Sequence, residues 1–457
     1  MFAVLDLALA AFLAGFLALG IRRPFLWVLA YLYVDILSPQ KISWSLLTTL
    51  PISLIVFVAA FAGWLLVDDK KDLRFSFRQV LLLILLIYCG LTTISAEFPV
   101  EAAAKWAWVW KALIFAIFLP LVLRTRLRIE ATALVMVLTA GAIIINGGMK
   151  TALGGGGYGQ LKLFVDNNTG LYEGSIISCV AIAVIPLIFW LMKHGTVFKP
   201  DWRVRLFALA LVFACLLIPI GTQARTGLIC IGLLALLMLR SAKRRFLYLG
   251  LMGALVLAAV PFLPQSFTTR MSTIGNHEAD QSASTRVAVW SWTWEYVQDN
   301  PFGGGFEIYR ANRLRYQTRA AQTSGSTTEI ESTVIEEKSR AFHSAYFEML
   351  GEQGWPGFIV WLLLHVVGLF QLEGIRRRLR GSQDPRDQSD RALADALQQS
   401  YLIYLVGALF LGIAYQPFVY MLIGLQIGLV NLVQRRFRQP VRSPMRLPIR
   451  PETVPAE

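Results

Sequence analysis

The chain has 457 residues, 56% of them hydrophobic and 16% charged, with a mean hydropathy of +0.56. Those values exclude a soluble globular protein of this length and define a polytopic membrane protein. The formal charge of +14 calls for no nucleic-acid partner, because it gathers in short connections where basic residues set topology and meet anionic lipid.

Runs long enough to cross a hydrocarbon core of about 30 Å fall at 3–21, 24–37, 50–67, 79–95, 106–123, 130–146, 174–192, 206–220, 227–239, 246–263, 357–371, 398–415 and 418–433. They number thirteen, or twelve if the short 24–37 run, which carries Asp35, is re-entrant. The first run has no basic n-region and no small-residue cleavage site before Arg22, so it reads as a retained helix and not a signal peptide. Of the 43 Lys and Arg, 29 lie in Arg22–Arg23, 68–78, 124–128, 193–205, 240–245, 376–391 and the tail after 434. That set marks the cytoplasmic side of the membrane, with the C-terminus inside and the long polar stretch outside. The expected fold is an all-α polytopic integral membrane protein with 12–13 transmembrane helices and one long, largely helical periplasmic loop. Its expected divisions are an N-terminal bundle (1–263), the loop (264–356), two C-terminal helices (357–433) and a basic tail (434–457).

Cys89, Cys179, Cys215 and Cys230 all lie within expected helices, which implies no disulfide framework. Four histidines without paired spacing, and no external run resembling a zinc or calcium site, lead us to expect no bound metal and no cofactor.

In chain order, LSPQKISW (37–44) is an external turn with Lys41 and Trp44 as interfacial anchors. In KWAWVWK (105–111), three tryptophans form an aromatic belt, and Lys111 sits about two turns inside the helix. It either snorkels or faces an anionic ligand, since an ionisable residue within a span is costly. The loop 147–173 is rich in glycine, and its GGGGYG run lacks the GK[ST] ending of a phosphate cradle. Asp166, Asn167 and Asn168 precede a membrane helix, where they suit sugar hydroxyls or a helix cap alike. GTQARTG (221–227) is a tight external turn that sets Arg225 at a helix N-terminus, a place that favours phosphate.

Residues 282–306 read as a helix stopped by Asn300–Pro301 and three glycines. Arg286 in its first turn opposes the helix dipole, which fits a side chain turned to an external anion. The stripe of Trp290, Trp294 and Val297 reads as packing. Residues 310–340 are polar, without periodicity, and read as a surface insertion or lid. Then comes AFHSAYFEMLGEQGWPG (341–357). If it is helical up to Gly354, His343, Tyr346, Phe347 and Leu350 share a face, with Glu348 and Glu352 on the other side. His343 is thereby a candidate to take a proton from a hydroxyl.

Many spans, a late external loop, an arginine in a tight turn before it, an R…W helix followed by NPFGGGF, and the H-S-x-Y-x-E-x-L-x-E-x-G run together resemble the O-antigen ligase and polymerase superfamily. LSPQKISW, the GGGG loop and DNN look most like the O-glycosylation ligases of exosortase A systems. The resemblance implies metal-free, inverting transfer of a glycan from an undecaprenyl-diphosphate donor to a hydroxyl acceptor, protein or lipid, at the periplasmic face. His343 would be the essential base, and Arg225 and Arg286 the diphosphate-binding arginines. Lys111 is a further diphosphate candidate, and Asp166, Asn167, Asn168, Tyr346 and Glu348 are candidates for substrate or acceptor contacts. An O-antigen or exopolysaccharide polymerase differs only in acceptor. A polysaccharide or lipid transporter would instead carry midplane ionisable residues in repeated halves.

Overall fold

A computed structural model describes residues 2–43, 47–68, 73–154, 161–165, 170–240, 281–324 and 327–438, with isolated residues between these ranges. Most of the expected segment 246–263 and the run Asp166, Asn167 and Asn168 lie outside the described residues. The molecule is an all-α polytopic membrane protein. The other twelve expected segments each meet a helix: α1 (Phe2–Arg22), α2 (Phe25–Leu37), α3 (Ile52–Val67), α4 (Phe77–Ile94), α5 (Pro99–Val122), α6 (Arg126–Ala152), α7 (Gly174–His194), α8 (Trp202–Thr222) and α9 (Arg225–Leu239), then, after the loop helix α10 (Gln281–Asp299), α11 (Ala345–Arg378), α12 (Pro385–Gly407) and α13 (Pro417–Arg438). Among the described residues eight helices are long and apolar enough to cross a membrane, and α2, α3 and α9 are shorter apolar ones. At 1.5 Å per residue α2 rises about 20 Å, less than the hydrocarbon core.

Local chemistry starts several of these helices. Ser76 and Gln79 form a reciprocal capping box on α4, with Ser76 Oγ accepting from the Gln79 amide at 3.3 Å and Gln79 Oε1 from the Ser76 amide at 2.9 Å. Glu173 accepts from the Ile176 amide at 2.6 Å and opens α7. The most enclosed spans are α7, packed on α12 and α8, and α13, packed on α5; α1 is peripheral. The α5–α13 approach is close because Gly424-x-x-x-Gly428 faces α5, where added Cβ atoms would come within 2.9 Å of Leu119 and 2.7 Å of Leu123.

Three features depart from the sequence reading. The segment 398–415 is displaced: α12 begins at Pro385, capped by Asp384, and ends at Gly407, so 408–416 is not helical. Hydropathy misses its first half because that half mixes exposed polar residues with buried ones that meet other helices. Asp390 pairs with Arg126 at 3.3 Å and Arg436 at 3.2 Å, and the Ser389 carbonyl accepts from Trp190 Nε1 at 3.1 Å. Second, part of the loop is not helical. Strands β1 (Arg313–Ser324) and β2 (Thr327–Lys338) pair antiparallel from Arg313↔Lys338 to Ser324↔Thr327. With polar residues on both faces this hairpin has no apolar alternation to read. Third, Arg78, grouped with the surface basics, is fully buried. It donates to Gln426 Oε1 at 2.9 Å and lies beside Tyr401, which hydrogen-bonds His365, so it ties α4 to α11, α12 and α13.

Candidate active site

His343 is set by its neighbours and not by helix register. The helix α11 begins at Ala345 with Ser344 as N-cap residue, and His343, two residues earlier, has a left-handed backbone with φ of 48°. The face expected to join His343 to Tyr346, Phe347 and Leu350 therefore does not extend back to the imidazole. On one side the buried Phe342 carbonyl accepts from Trp290 Nε1 at 2.9 Å, and Phe347 stacks on Trp290 with centroids 5.0 Å apart. On the other, the Ala345 amide donates to the Ala408 carbonyl at 2.9 Å. So α10 and the turn after α12 grip the chain around a histidine that still reaches solvent.

Arg286, half-buried near the start of α10, acts directly on this imidazole. Desolvation lowers the His343 pKa to about 4, helped by the positive charges of Arg286 and then Arg340. The ring is thus neutral at pH 7, free to accept a proton, and a negative ligand at Arg286 would remove part of the cause of the shift.

Arg225 opens α9 after a turn in which Gln223 takes φ of 53°. Its end of the bundle follows from packing: α9 and α7 both approach Gly407, where an added Cβ would lie 2.3 Å from Cys179 Sγ and 3.3 Å from Cys230 Sγ. The next residue, Ala408, is the one bonded to Ala345. Arg225 and His343 are therefore at the same end.

The NPFGGGF run does more than stop α10. Gly354 has φ 60° and ψ −165°, breaking α11 just before its apolar span, and residues 301–305 dock into the break. Gly304 N donates to Gly351 O at 3.1 Å, Gly305 N to Glu352 O at 2.9 Å, and Trp355 N to Pro301 O at 2.9 Å. A Cβ on Gly303 would come within 2.4 Å of the Gly354 nitrogen, and one on Gly354 within 2.3 Å of the Pro301 oxygen. Only glycine permits this main-chain joint.

Beneath it lies a cluster that the sequence reading missed. Lys105 Nζ meets Glu348 Oε1 at 2.7 Å, Glu352 Oε1 at 2.8 Å and Glu307 Oε1 at 3.8 Å, over the Tyr415 ring at 5.0 Å. Glu348 also accepts from the Ala414 amide at 3.0 Å and Glu352 from the Glu307 amide at 2.9 Å. Two carboxylates at i and i+4 on a face turned into a membrane bundle demand a cation, and that was the available signal. Glu348 and Glu352 do lie away from Phe347, as the spacing predicts. Of the other candidates, Tyr346 donates its hydroxyl to Leu405 O at 3.1 Å, and Lys111 is among the charges acting on Asp35.

The fold and this end of the bundle define a multi-pass membrane protein with a histidine and basic side chains gathered at one membrane surface. Residues 208–362, which contain Arg225, Arg286 and His343, match the family described as O-antigen ligase. Residues 4–196 match a family of unknown function (DUF5935). No curated protein matches the chain. The ligase match supports a membrane glycan ligase or polymerase type of function, with lipid-linked glycan as donor.

Proposed function

We propose that the protein transfers a glycan from an undecaprenyl-diphosphate donor to a hydroxyl of a protein or lipid acceptor at the periplasmic face of the inner membrane, with inversion and without a metal. The observation that most supports this reading is that the stretch matching the O-antigen ligase family carries Arg225, Arg286 and His343, with the charge of Arg286 acting on the His343 imidazole. An imidazole nitrogen takes the acceptor proton while the acceptor oxygen bonds to the anomeric carbon. The bond from that carbon to the diphosphate oxygen breaks on the opposite side, which inverts the centre. The departing lipid diphosphate gains negative charge, met by the planar forks of Arg286 and Arg225. The same phosphates offset the charge that depresses His343, so donor binding brings the base closer to its ordinary pKa of about 6.5. The Lys105 cluster, with Glu348, holds the platform under this site; Tyr346 fixes α11 to α12.

The test is turnover of a purified undecaprenyl-diphosphate glycan by the protein in liposomes. His343→Ala should abolish transfer and keep membrane insertion. A variant that inserts and still turns over would refute the assignment. In a deletion strain, accumulation of long unligated lipid-linked glycan means a ligase, and single repeat units mean a polymerase.

A further inference from the structure

The helices that build the site also build a second basic cavity at their far ends. Ile94, Lys105, Glu348 and Tyr415 mark the site ends of α4, α5, α11 and the turn leading to α13. Phe77, Leu121, Gln371 and Val430 mark the opposite ends, and all four line one cavity of about 690 Å³. Arg74, Arg124 and Arg435 line it too, along with Gln434. No carboxylate is among its described lining residues. Arg435 is held in place by main-chain acceptors, Asn431 O at 3.2 Å and Leu123 O at 3.4 Å, which aim its guanidinium across the gap between α5 and α13. At the mouth, Phe75 and Phe77 leave more than half of their surface uncovered, at 52% and 56%.

We propose that this cavity binds the phosphodiester headgroup of one anionic glycerophospholipid from the leaflet opposite His343. The arginines supply the charge that a basic pocket between membrane helices uses to hold such a headgroup. The phenylalanines supply what a free phosphate would not need, an apolar wall along which acyl chains leave the headgroup and enter the bilayer. A lipid there joins the far ends of α4, α5, α11 and α13, and the cavity is separate from the transfer site by the thickness of the bundle.

The readout is therefore binding, not transfer. The full-length protein in detergent is titrated with dioleoyl phosphatidylglycerol, dioleoyl phosphatidylcholine or inorganic phosphate, following the unfolding temperature by tryptophan fluorescence and lipid adducts by native mass spectrometry. We expect saturable stabilisation and one retained molecule with phosphatidylglycerol only. Arg74 is exposed, so Arg74→Glu should fold and raise the half-saturating concentration at least fivefold, the scale of one basic residue at a membrane surface. Arg205→Glu, at an exposed arginine outside the cavity, should change nothing. Equal stabilisation by phosphate means a free-anion site and overturns the lipid. Equal stabilisation by phosphatidylcholine, an unchanged Arg74→Glu, or an equally weakened Arg205→Glu overturns the site.

Discussion

An imidazole with a pKa near 4 is a weak base, and that weakness has a visible source. Arg286 and Arg340 both oppose its protonation, after desolvation. On the proposed mechanism the free protein must carry neutral His343 to act, so kcat/KM should rise with pH through about 4 and level off above it. Removing Arg286 takes away one opposing charge, so in Arg286→Ala the same limb should move up toward 6.5. A limb that stays in place would separate His343 from Arg286. For the arginines themselves, alanine at position 225 or 286 should cost about 3 kcal/mol of transition-state stabilisation, the scale for one stabiliser of developing charge. Lysine should keep the charge and lose much of the rate, because an ammonium lacks the planar fork. The double alanine should lose less than the sum if both hold one diphosphate, and fully additive losses in single-turnover rates would mean separate ligands. In the sequence Arg286 stands out because it opposes the dipole of the helix it begins, Arg225 because of its tight turn, and His343 because of the run that follows it. Lys105 does not, because a lysine beside tryptophans reads as an interfacial anchor until its carboxylate partners, more than 200 residues away in sequence, fold onto it.

That lysine belongs to the scale of elements, since it ties α5 to α11 and, through Glu348, to the turn at Ala414. Lys105→Met should leave buried carboxylates without their cation, at about 3–5 kcal/mol of stability. Adding Glu352→Gln should recover part of that loss, and thermal unfolding in detergent measures both. If the double variant is no more stable than the single one, the ammonium is not what the carboxylates need. Apolar length was enough to find the membrane helices, because a lipid-facing side cannot hide polar groups. It failed at α12, where Asp390 and Gln398 turn inward to partners on other helices. It also failed at β1 and β2, whose sequences carry no sustained apolar alternation.

For the whole molecule, the basic connections make orientation testable. A cysteine placed at Ala320 should react with an impermeant thiol reagent added outside, and one at Lys199 should not. Protection of position 320 would reverse the proposed topology. The four native cysteines are buried, which keeps the background low. The joint between 301–305 and 351–355 has a further consequence. It fastens the two ends of the polar segment to each other through main-chain atoms, so the segment between them is a closed loop whose length is uncoupled from the bundle. Closing a longer loop costs little more than closing a shorter one. Replacing residues 318–333 by an Asn-Gly turn should therefore leave the unfolding temperature of the bundle unchanged. In that sense the hairpin is an appendage of the joint, and the bundle bears none of the cost of its length.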